Sequence, residues 1–215
     1  MNEIYNWIRY GLNFFEILAC ITGFIYWKKI RNTYWKWFPV YLSVIVGIEL
    51  TGKVLPKDIN VILYGYFGIH VMFFFFFWLF LKYFKDTRER NWPLIGMATY
   101  SLAWLMEMLF LKETTLSFFS FAYTFGNVIL AIFVLLFFIR FINSDRILGY
   151  RSDMMFWVCC GLLIFYLGSL PLYGLWNTLS KKYFDVFNTY WIIHMALNYT
   201  MYIFFSIAFI WGKPK

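Results

Sequence analysis

The chain is a succession of long apolar runs interrupted by short polar and basic stretches. Seven runs stand out, at about 8–27, 37–53, 59–81, 92–111, 117–139, 154–176 and 186–211. Each is close to the ~17–25 residues a helix needs to cross a hydrocarbon core. Within a run the apolar residues are continuous, whereas a membrane strand alternates apolar and polar positions. The pattern predicts an all-α fold: a polytopic seven-helix transmembrane bundle forming a single transmembrane domain over 1–215. The loops are too short to hold a second domain.

Composition agrees with a lipid solvent. Of 215 residues, 62% are apolar and only 14% charged, more apolar surface than a water-soluble domain of this size hides. Cys20, Cys159 and Cys160 lie inside apolar runs without metal-ligand spacing, and read as small apolar filler. The opening MNEIYNWIRYGLNFFE has neither a basic leader nor a small-residue cleavage site, so no removable signal peptide is expected.

Charge sets the expected orientation. Lys28, Lys29, Arg31 and Lys36 follow the first run; Lys82, Lys85, Arg88 and Arg90 follow the third; Arg140, Arg146 and Arg151 follow the fifth; Lys213 and Lys215 close the chain. All of these fall on one side. Arg9, Lys53, Lys57, Lys112, Lys181 and Lys182 fall on the other. The richer side is expected in the cytoplasm, giving a multi-pass cell-membrane protein with its N-terminus outside and C-terminus inside. The net charge of +8 is then an orientation signal suited to anionic lipid headgroups, and no nucleic-acid partner is needed. Trp35, Trp37, Trp92 and Trp211 stand near run ends, where indole rings favour the interface.

Asn13, His70 and Asn127 are 57 residues apart, and Glu49 and Glu107 are 58 apart. The spacing suits a two-helix unit used three times in parallel with a seventh helix added. Short loops and bilayer thickness alone produce a similar period.

The polar residues inside the runs are the candidate site. Tyr66 and His70, Tyr123 and Asn127, and His194 and Asn198 are i, i+4 pairs, each on one helix face. Asn13 and Glu16 form an i, i+3 pair. At ~1.5 Å per residue, His70, Asn127 and Asn198 lie roughly 15–18 Å from the outer helix ends, and Glu49 and Glu107 roughly 6–8 Å. An ionised group at the centre of a helix costs about 2.5–3.5 kcal/mol on insertion scales, so these residues are expected to face inward. Together they predict an outward-facing polar pocket lined by Asn13, Glu16, Glu49, Tyr66, His70, Glu107, Tyr123, Asn127, His194 and Asn198. Each also has a plainer reading. Glu49 reaches Lys53, and Glu107 reaches Lys112. The asparagines join helices through their amides, and the histidines are satisfied by tyrosine hydroxyls or carbonyls.

The inner halves, FFFFFWLFL from Phe73, VILAIFVLLFF from Val128 and FFSIAFIW from Phe204, are almost wholly apolar. A pocket closed at its inner end fits this better than a carrier that opens on both sides. The leading expectation is binding or sensing of a small ligand, with a membrane or cytoplasmic signalling partner reading the change. A small-molecule or ion transporter is the alternative. No Gly-rich phosphate loop, serine elbow or CxxC is present, and the last run lacks the lysine a retinal protein needs. Neither a metal nor a cofactor is expected, and an enzyme is the lesser expectation.

One short motif bears on that lesser reading. His194-Met-Ala-Leu-Asn198 resembles the HxxxN element of the CAAX-type intramembrane proteases. The resemblance implies glutamates polarising a water, with histidine and asparagine holding the site. The paired-glutamate EExxxR motif is absent, and Phe67 stands one residue too close to His70 for FxxxH.

Overall fold

A computed structural model describes residues 2–111 and 118–214, with backbone alone at 2–10, 12 and 57. Among these residues the regular structure is helical, without strands. Seven long helices follow one another: α1 (Asn2–Ile25), α2 (Tyr34–Val54), α3 (Asp58–Tyr83), α4 (Trp92–Leu111), α5 (Ser120–Ile142), α6 (Met154–Gly174) and α7 (Phe184–Trp211). Short helical segments at Trp27–Ile30, Asp145–Ser152 and Trp176–Lys182 lie in the connections.

Six helices, α2 to α7, are long and apolar enough to cross a membrane. The apolar part of α1 among the described residues is only Asn13–Ile25, below that length. The seven expected spans therefore become six plus a seventh helix whose first half carries Asn2, Glu3, Asn6 and Arg9. Position 117, the expected start of the fifth span, and Lys112 lie outside the described residues.

Consecutive helices pack side by side, and α7 closes the ring by packing along both α6 and α1. Helix α3 also reaches α5, which leaves α4 on the periphery, packed on these two. Close approach depends on small residues, because lipid supplies little hydrophobic drive between helices. A Cβ at Gly23 would stand 2.7 Å from Pro39, and one at Gly126 2.7 Å from Phe73.

The basic-rich half of the ring is filled by rings. Phe38 meets Phe75, Phe76, Phe205 and Phe209 at centroid separations of 5.0–6.5 Å. Phe76, Phe77, Phe80, Phe205 and Phe209 are all fully buried. The polar ties of this end cap its helices. Asp153 accepts from the Phe156 N–H at 3.2 Å at the start of α6 and pairs with Arg146 at 3.0 Å. Lys29 donates to the carbonyls of Phe209 and Ile210 at 2.9 and 3.1 Å, at the end of α7 where a cation suits the helix dipole. Glu89 and Arg140 join the α3–α4 connection to α5. Trp37, Trp92 and Trp211 are about half exposed, as a membrane interface asks, but Trp35 is buried against Tyr34 and Phe38.

Candidate functional site

The opposite half of the ring is hollow. A cavity of about 320 Å³ lies there, lined from α1, α2, α3, α5, α6, α7 and the Trp176 turn. Its lining follows helical stripes. Helix α2 contributes Tyr41, Ile45 and Glu49 at four-residue steps, with Ile48 and Lys53 beside them. Helix α7 contributes His194, Asn198 and Tyr202 in the same way, preceded by Trp191. Asn13 and Glu16 come from α1. A smaller adjoining hollow of about 260 Å³ shares Ile48, Glu49, Tyr64, Tyr173 and Trp176, and adds Asn60 and Gly65.

Several polar groups of the cavity are deeply buried. Glu16 is 3% exposed and lines the space together with Tyr202. Glu49 and Lys53 line the same space. His194, 5% exposed, is held by the Tyr173 hydroxyl, 3.0 Å from Nε2. Tyr173 is itself fixed by close ring contact with Tyr123 at 3.9 Å, by stacking on Trp176, and by the Ser120 hydroxyl donating to its carbonyl. Among the described residues, three buried polar atoms of these side chains make no hydrogen bond: Asn13 Nδ2, His194 Nδ1 and Asn198 Oδ1. Buried polar atoms are nearly always paired, so these three are exceptions within the packed wall of the cavity.

Six of the ten sequence-selected residues therefore line one space: Asn13, Glu16, Glu49, Tyr123, His194 and Asn198. The other four do not. Tyr66 and His70 share a face of α3 that is turned to α4, where Tyr66 packs on Trp104 and Phe119 and His70 on Trp104 and Tyr100. The cavity is met instead by Tyr64, Gly68 and Met72, two positions out of phase and so on the opposite side of the helix. Asn127 lies one turn deeper than Tyr123, fully buried and with neither amide atom hydrogen-bonded.

Glu107 sits on α4, which contributes nothing to the lining. Its carboxylate accepts from the backbone N–H of Phe121 at 3.1 Å and of Ala122 at 2.6 Å. These are among the first N–H groups of α5, which have no partner within their own helix. The carboxylate caps that helix from its neighbour, with the favourable sign for a helix start.

The sequence reading did not select Tyr41, Tyr64, Trp176, Trp191 or Tyr202. The four-residue stripes running through Glu49 and Asn198 were the signal for Tyr41 and Tyr202. Trp176 had none, because it lies on a connection. No protein-family model, curated protein or solved structure matches the chain. Its class, a multi-pass helical membrane protein with a polar internal cavity, rests on its own geometry.

Proposed function

We propose that the chain binds a small ligand in this cavity from the outer face of a cell membrane and passes the change to a partner. In this reading α1 is the seventh span, the N-terminus is outside and the C-terminus is cytoplasmic. One observation carries it: Asn13, Glu16, Glu49, His194 and Asn198, polar side chains from three different helices, line the same space. About 320 Å³ is at the lower end of ligand pockets, which run ~300–1,000 Å³. The filled aromatic half supports binding over carriage, since a carrier needs a wet path through Phe38, Phe76, Phe80 and Phe205.

The test is thiol labelling of Asn198→Cys in a background without Cys20, Cys159 and Cys160. A membrane-impermeant reagent added outside intact cells should label it, and the same reagent confined to the cytoplasmic face should not. Absence of labelling from outside would remove the reading. The carrier alternative would be recovered if purified protein in liposomes moved a solute that also protects this cysteine.

A further inference from the structure

The cavity's chemistry points beyond binding in general to a class of ligand. Among the described residues its charged lining is Glu16, Glu49 and Lys53, two carboxylates against one ammonium. Eight of its twenty lining residues are aromatic, among them Tyr41, Tyr123, Trp176 and Trp191. A buried carboxyl group without a compensating charge is kept neutral by a proton, and a cation brought in by a ligand lets it ionise. Aromatic rings attract cations through their quadrupole and are most effective where water is excluded. The lining offers a poorly hydrated cation both a charge and a ring surface.

Other classes fit less well. An anion would meet two carboxylates and a single lysine. A bare metal ion asks for three or more hard ligands, and no cluster of three or more His, Cys, Asp or Glu side chains suited to one occurs among the described residues. His194, 5% exposed and held by the Tyr173 hydroxyl, lines the same space and adds an uncharged polar group to it.

We propose that the ligand is a small organic ammonium compound, its cationic head between the Glu16 carboxylate and the cavity's aromatic rings and a polar tail on Asn13, His194 and Asn198. This rests on the outward cavity proposed above. Glu16 carries the charge recognition, and Trp176 and Trp191 report it, since both border the space.

The experiment uses the full chain in lipid nanodiscs and three probes of matched shape: choline, its neutral carbon isostere 3,3-dimethylbutan-1-ol, and the anion 3,3-dimethylbutanoate. Choline should change the tryptophan fluorescence and bind at least ~10-fold tighter than the neutral isostere, about 1.4 kcal/mol. The anion should bind more weakly still. Glu16→Gln should bring choline and the isostere to within a factor of about two. Should that variant fail to fold, Asn198→Cys in the otherwise native cavity gives the same answer. Relative to a free thiol, a trimethylammonium methanethiosulfonate should react faster there than its sulfonate counterpart.

Equal or tighter binding of the isostere or anion overturns the cation assignment, as does equal labelling by the two reagents. So does silence from all three probes when Asn198→Cys is labelled, and the cavity reading then stands alone. If that cysteine is not labelled at all, the cavity reading fails and takes this inference with it.

Discussion

The residue that precedes α5 is Phe119, whose side chain cannot accept the first N–H groups of the helix. Glu107 fills that role from α4, at 3.1 and 2.6 Å. Leaving a buried donor unsatisfied costs ~1–3 kcal/mol, more when the lost partner is charged. Glu107→Ala should therefore lower stability by about 2–4 kcal/mol in a denaturant titration of the purified protein. Glu107→Gln keeps one acceptor and should lose less. Stability equal to wild type in both would remove the capping role. The sequence marked Glu107 as anomalous, a charge inside LMEMLFLKE, but could not name its partner. The acceptor and its donors are 14 and 15 residues apart on different helices, and only the α4–α5 packing joins them. The plainer expectation, a reach toward Lys112, concerns a residue outside the described ones.

Helices are legible here as lengths but not as faces. Continuous apolar runs give α2 to α7 within a few residues, because hydrocarbon thickness fixes length. Rotation leaves no comparable mark when every face is apolar: the sequence pattern points to the Tyr66 and His70 face of α3, whereas its cavity side is Tyr64, Gly68 and Met72. Glycines test the rotation that the structure assigns. A methyl at Gly126 would meet the Phe73 ring at 2.7 Å, and that ring is buried among Phe77, Tyr100, Tyr123 and Tyr166 and has nowhere to move. Gly126→Ala should cost about 1–3 kcal/mol from overpacking. Gly47 has nothing within 4 Å of its would-be Cβ, so Gly47→Ala should be neutral or stabilise by up to about 1 kcal/mol through helix propensity. The same sign for both in thermal melts would mean that these helix faces are wrongly assigned. A further tie binds elements at the basic end. The Arg140 guanidinium holds the Glu89 carboxyl below its ordinary value of 4.5. A depressed carboxyl stabilises the fold above its unfolded value, and the contribution fades as pH falls through the folded one. Glu89→Gln should thus melt slightly below wild type at pH 7, and the gap should close well below pH 4.5. A gap that persists in acid would assign the effect to shape and not to charge.

The whole molecule has two unlike halves, and the sequence carried that contrast more clearly than any single site residue. Polar residues gather toward the starts of α1, α5 and α7 and the end of α2, while the phenylalanine runs occupy the other half. In a ring of alternating helix directions these positions fall on common ends, so the cavity and the aromatic fill follow once neighbours in the chain are neighbours in space. The ring order itself was not readable, since neither a span length nor a basic loop says which helix closes on which. The 57-residue spacing does not survive as a shared role, because Asn13 lines the cavity and His70 and Asn127 do not. The same contrast is what supports the orientation we propose. The cavity opens on the side poor in Lys and Arg, and the packed half carries Lys28, Lys29, Arg31, Arg140, Arg146, Arg151 and Lys213. If these charges hold that end in the cytoplasm, a green fluorescent protein fused after Lys215 will fluoresce, and an epitope placed before Asn2 will be stained on unpermeabilised cells. Lys28→Ala with Arg31→Ala should leave both readouts unchanged, because the basic loops after α3 and α5 retain the bias. An epitope stained only after permeabilisation would put the cavity mouth in the cytoplasm. The ligand we propose would then have to be sought among intracellular solutes.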